Sequence, residues 1–297
     1  MCMKPNHAAT LATALMLAAP LALLGAAPAT AWPFGAAAKP AATASAPVPA
    51  TPAPPAGEKK ASPFERAKAD GLDPLTRVAF WTRETNLDPS DADAGTHLAA
   101  ALRASERYEE AADAAGRVLV LNAAYAPAKL ELARANISAN RGFYAIKPLQ
   151  EVAALDPRDA KPWVLLGVAY EQNEQPDLAQ QAYERALKLA PESPSALSNY
   201  ALFRATHGEP QAAETLLRKA VTEPGAGAPE RQNLALVLGL QGKIGEAERL
   251  IRQDLPPEIA DRNLAYLRSL SVRGAAAAPR SWSAVQASET AQMKAPS

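Results

Sequence analysis

The sequence holds a single cysteine, Cys2, and three histidines, so a disulfide framework is excluded and a His/Cys metal cluster cannot be assembled. Aromatic residues are only 5% of the chain and glycines number 15, while the 48% hydrophobic share is largely alanine. Alanine loses no side-chain entropy in a helix, and few β-branched residues are present to favour a sheet. Excess charge of one sign is also missing. The 31 Lys and Arg balance 31 Asp and Glu, which removes the basic surplus that nucleic-acid binding needs. No Gly-x-Ser-x-Gly elbow occurs. Gly242-Lys243 resembles the end of a P-loop, but Val237 and Ile244 stand where Gly and Ser/Thr are required. His97 lies on a helix with no partner near it in sequence, and His207 precedes Gly208 in a turn. Glu109, Glu110 and Asp113 read as a solvated helix face. No catalytic group, metal or cofactor is expected, and the chain reads as non-enzymatic.

What is present begins with an export signal. Lys4 and His7 precede an apolar run from Leu11 to Leu24, and Ala29 and Ala31 supply small residues before Trp32. The run is short of the roughly 20 residues a membrane span needs, and Pro20 interrupts it. Residues 1–31 are therefore expected to be a cleaved signal peptide that delivers the chain to the periplasm. No cysteine follows the run to accept a lipid. Residues 32–72 form a Pro/Ala-rich stretch expected to be a disordered linker, because proline supplies no backbone donor and no period of 2 or 3.6 runs through it. A similar Ala/Ser/Pro tail carrying Trp282 is expected over 273–297.

Between them, over 73–272, the chain repeats every 34 residues. With units starting at 92, 126, 160, 194 and 228, position 8 holds Ala99, Ala133, Gly167, Ala201 and Ala235. Position 20 holds Ala111, Ala145, Ala179, Ala213 and Ala247. Small residues there let two helices approach closely, and larger ones such as Leu166 and Tyr183 fill the grooves between neighbours. The unit at 160–193 carries Trp163, Leu166, Gly167, Tyr170, Ala179, Tyr183, Ala186 and Pro191, the pattern of the tetratricopeptide repeat. The expected fold is all-α: a tetratricopeptide α-solenoid of about five helix-turn-helix units. Asp73–Leu87 reads as a leading half unit, and Asp261–Leu270 as a C-terminal capping helix. Gly208 and Gly242 are expected to make the turns inside their units.

In such arrays the first helix of each unit, helix A, lines a concave groove. Here those positions include Leu130, Arg134 and Ile137, then Val164, Val168 and Glu171, then Ser198 and Leu202, then Gln232 and Leu236. The family's carboxylate clamp of Lys and Asn is absent. The groove is expected to be largely apolar, with Arg134 and Glu171 as isolated charges, and to suit an apolar or helical partner segment better than an acidic tail.

The block Arg231–Lys243, followed by Glu246-Ala-Glu248, Asp254-Leu255 and Asn263–Arg268, resembles the TadD proteins, tetratricopeptide components of the tight-adherence (Flp) pilus system. The resemblance implies a periplasmic factor in pilus assembly that acts on the secretin or its partners. It also implies peripheral outer-membrane association through those partners. Many members of that family are lipoproteins; this chain lacks the acceptor cysteine. A general periplasmic adaptor in envelope or exopolysaccharide assembly is the alternative reading.

Overall fold

The computed structural model describes residues 59–276. The expected signal peptide, the first part of the linker and the tail from residue 277 with Trp282 lie outside the described residues. Thirteen helices and no strand occur among the described residues. They are α1 Pro63–Ala69, α2 Pro74–Leu87, α3 Ala92–Ala104, α4 Tyr108–Leu121, α5 Ala126–Ser138, α6 Gly142–Leu155, α7 Lys161–Gln172, α8 Pro176–Leu189, α9 Pro194–Thr206, α10 Pro210–Ala220, α11 Ala228–Leu240, α12 Ile244–Asp254 and α13 Pro257–Ala276. The described chain divides between Val152 and Ala153 into two compact units.

Each helix starts where local chemistry permits. Asp73, Asp91 and Ser193 accept hydrogen bonds from the amides of Thr76, Ala94 and Ala196, satisfying donors that the first turn leaves open. Proline occupies the first turn of several others, where its missing N–H costs nothing.

The turn within each unit is the same device five times. Its position 15 is left-handed: φ is 61° at Glu106, 56° at Asn140, 56° at Glu174, 85° at Gly208 and 79° at Gly242. The next amide then reaches back to the carbonyl five residues earlier, as in Arg107 to Leu102, Arg141 to Asn136 and Lys243 to Leu238. That is the Schellman closure. The sequence pointed only to the two glycines; in the other units Asn and Glu adopt the same conformation. Left-handed backbone costs a residue with a side chain roughly 1–2 kcal/mol, partly offset by the extra freedom that glycine loses on folding. Glu174→Gly and Glu106→Gly are therefore expected to stabilise by about 0.5 kcal/mol each, and Gly208→Ala to destabilise by about 1 kcal/mol. Thermal melts followed by circular dichroism check both signs.

In the N-terminal unit, α3 packs on α2, α4 and α5. Its core holds Ala69, Val78, Trp81, Leu98, Leu102 and the fully buried Ala99 and Ala111. Residues 63–69, expected to be disordered linker, instead form α1. Ser62 and Glu65 make a reciprocal capping box. The guanidinium of Arg66 donates to Glu84 at 2.7 and 3.0 Å and lies 5.8 Å from the Trp81 ring centroid. The proline-rich neighbourhood hid a short helix whose partners stand about one helix farther along the chain. The leading half unit is thus a whole unit with a shortened first helix.

In the C-terminal unit, α7/α8, α9/α10 and α11/α12 are antiparallel hairpins, and the A helices α7, α9, α11 and α13 each touch the next. Gly167 is required where α7 meets α8, because a Cβ there would lie 2.4 Å from Cε1 of Tyr183. Tyr183, Tyr200 and Phe203 cluster with ring centroids 5.7–6.0 Å apart. The expected capping helix is present but longer, as α13. Its Ala260, Leu264 and Leu267 are buried in the core of this unit, and a Cβ on Gly239 would meet Leu267 at 2.7 Å. At position 27 of the last unit, Asp254 faces Arg231 at position 4 through a two-pronged ion pair, Nε to Oδ2 at 2.8 Å.

Candidate partner-binding face

The residues singled out on helix A fall into two sets, one in each unit. Leu130, Arg134 and Ile137 stand on α5 of the N-terminal unit, all half-buried. Arg134 is not isolated: it pairs with Glu131, which also accepts from Arg103 Nε at 3.0 Å. That carboxylate sits one turn back on the same helix, at a spacing that places the two side chains together.

The second set lies on α7, α9 and α11, adjacent helices of one unit. Val168, Leu202, Gln232 and Leu236 are half-buried, with the three aliphatics resting on the cores below them. Val164 and Ser198 lie deeper, at 8% and 2% exposure. Val164 is part of the aromatic core. The Ser198 hydroxyl accepts a hydrogen bond from Asn233 Nδ2 at 2.8 Å, a cross-link between α9 and α11. Asn233 escaped the sequence reading; its only signal was a polar residue at a position between two grooves.

Glu171 completes this face, and its setting is unusual. It stands one turn beyond Gly167, so the Tyr183 ring that crosses over the missing Cβ ends at the Glu171 carboxylate. The phenol donates to Oε1 at 2.6 Å. Burial pushes the Glu171 carboxyl up to about 7, against the lowering effect of that hydrogen bond. Burial, then the carboxylate beside it, holds the Tyr183 phenol well above its usual range. Two other carboxylates of this unit have cations. Glu214 is held down at about 2, chiefly by Lys243 and also by Arg218, and Asp254 has Arg231. Glu171 has the Tyr183 phenol, and no ion pair joins it among the described residues.

A cleft of about 640 Å³ in the N-terminal unit was not foreseen. His97, expected to have no partner, stacks on Trp81 there at 4.4 Å, and its Nδ1 is 3.2 Å from Asp70. Lys60 meets Asp88, Arg66 meets Glu84 and Asp91, and Asp93 accepts from Tyr125. These charges of the cleft are thus matched within the protein, while the Trp81 Nε1 in its lining is buried without a hydrogen-bond partner among the described residues. His207 is exposed at the end of α9, its ring 4.1 Å from that of Phe203. Among the described residues no three His, Cys, Asp or Glu side chains gather as metal ligands. No described helix is long and apolar enough to cross a membrane.

Residues 160–193 match the family model of the tetratricopeptide repeat. No curated protein matches the sequence. Among solved structures, the chain is similar to a thermophilic TPR protein of Thermus thermophilus, at 18% identity and a TM-score of 0.51, covering 59% of this chain and 93% of that one. It is also similar to a chain of the APC/C hetero-tetramer Cut9–Hcn1, at 15% identity and a TM-score of 0.57, covering 69% and 40%. A third is MamA from residue 41 onward, of Desulfovibrio magneticus, at 20% identity and a TM-score of 0.47 over 53% and 89%. The first two likenesses carry the fold: helical hairpins of the tetratricopeptide kind.

Proposed function

We propose that this chain is a non-enzymatic, periplasmic protein-binding scaffold that serves the assembly of a Flp (tight-adherence) pilus, acting on the secretin or its partners. The observation that carries the binding role is the layer of A helices α7, α9 and α11. There Val168, Leu202 and Leu236 hold a row of aliphatic side chains only half covered by their own unit. A row of that kind suits a partner segment that lays an apolar stripe along it. The pilus assignment rests on the resemblance of the 231–268 block to TadD, and the compartment on the export-type sequence before Trp32. Much of that block has a structural task. Arg231 and Asp254 pair, and Gly239 admits Leu267, so these residues close the last hairpin against α13.

Deleting the gene is expected to remove surface fibrils and adherence, and the wild-type gene to restore both. A Val168→Asp/Leu202→Asp double variant that still reaches wild-type abundance should lower fibril counts by roughly tenfold or more, since charge in an apolar contact abolishes its core. Electron microscopy of surface fibrils and an adherence assay read the result. Normal fibrils in the deletion strain would rule out the pilus role.

A further inference from the structure

Two observations bear on Glu171. The first is its hydrogen bonding. Oε1 is taken by the Tyr183 phenol, and Oε2 has neither a hydrogen-bond partner nor a cation among the described residues. Glu171 itself is half-buried, so its side chain is partly open to the surface of the A-helix layer. The second is its surroundings. Along α7 the residues one and two turns before it on the same side are Val168 and Val164, and the adjacent A helix, α9, carries the half-buried Leu202. Arg204 on α9 pairs with the Tyr200 hydroxyl at 3.0 Å and with Glu209, not with Glu171. A carboxylate placed in an aliphatic row, tied at one oxygen and open at the other, gains from a cation that arrives from outside.

We propose that Glu171 is the docking point for one lysine or arginine side chain of a partner segment that is otherwise apolar where it crosses α7 and α9. This rests on the reading of the A-helix layer as the partner-binding face and deepens it by naming the partner's chemistry. The aliphatic residues accept the partner's apolar stripe, and Glu171 sets its register by admitting a cation at one place. An acidic residue at that place is rejected, because two carboxylates would then share one poorly solvated position. A neutral residue binds, but leaves the ionised Glu171 further desolvated and unmatched.

The test uses the full-length protein and peptides of about twelve residues. A random peptide library displayed on phage is panned against the immobilised wild-type chain at pH 7.5. The selected peptides are then synthesised and titrated by fluorescence anisotropy against wild type, Glu171→Gln and Leu202→Asp. Glu171→Gln keeps an acceptor for the Tyr183 phenol, and a circular dichroism melt verifies that each variant is folded. The expected binders share one Lys or Arg flanked by Leu, Ile, Val or Phe. Replacing that residue by norleucine should weaken binding to wild type roughly tenfold, with little further loss on Glu171→Gln, the signature of a direct pair. If Leu202→Asp abolishes binding but the norleucine peptide or Glu171→Gln binds as well as the parent, the cation assignment falls and the face remains. If binding ignores Leu202→Asp, or no peptide is selected, the face itself is wrong and the cation assignment falls with it.

Discussion

Glu84→Ala should release α1 from the N-terminal unit and cost about 3 kcal/mol, the scale for removing one member of a buried charged network. The Glu84 side chain is fully buried. Both of its oxygens accept from the Ala61 amide at 3.0 and 3.1 Å, while Arg66 and Arg83 each donate to it. Removing the carboxylate leaves Arg66 with Asp91 alone, and strips the Ala61 amide of its acceptor. It also loosens the guanidinium that covers Trp81. Glu84→Gln should cost less, since an amide oxygen still accepts from Ala61. Hydrogen exchange gives the local readout: amides 63–69 lose protection in Glu84→Ala while those of the C-terminal unit keep theirs. A melting temperature within about 1 °C of wild type, with α1 still protected, would show that this is an ordinary surface ion pair worth less than about 1 kcal/mol.

The hairpins could be read from the sequence because their determinants are local and recur. A small residue at positions 8 and 20 of every unit is enough to bring two helices together, and a 34-residue spacing exposes it. The side-chain networks were not legible, because each joins residues whose types are unremarkable alone. Ala61 and Glu84, Gly95 and Val118, and Arg231 and Asp254 all occupy positions 4 and 27 of their units. The structure fills that one contact differently in each: amide to carboxylate, missing Cβ to methyl, and guanidinium to carboxylate. Asp254 stands where the four preceding units carry Val118, Val152, Ala186 and Ala220, and Arg231 opposite it is the physical reason. The turns teach a related lesson. Glycine at position 15 announces a left-handed residue, but Glu106 and Glu174 adopt that conformation because the Schellman bonds around them hold it. On the candidate face, the sequence marked Glu171 as a charge on helix A. The phenol it meets lies 12 residues away across the turn, and only the pairing of Gly167 with Tyr183 hinted at it.

Glu171→Gln should stabilise the protein, and the gain should depend on pH. In the folded chain the carboxyl holds its proton up to about 7, against an ordinary value of 4.5. Between those values the folded state binds more protons than the unfolded one, so wild-type stability is full below about pH 4.5, falls as pH rises to about 7, and stays low above that. A shift of that size corresponds to about 3 kcal/mol across the window. Glutamine keeps the oxygen that accepts from Tyr183 and removes the titration. The variant should therefore match wild type near pH 4.5 and exceed it by about 2–3 kcal/mol at pH 8. Urea unfolding at the two pH values reads the difference, and equal stability of the two proteins at pH 8 would refute it. The same carboxylate thus destabilises the free protein under the conditions in which it is ionised, and a partner's cation removes that cost on binding. Tighter folding and weaker partner binding in a single neutral substitution is the combined outcome expected when a residue is kept for recognition and not for stability.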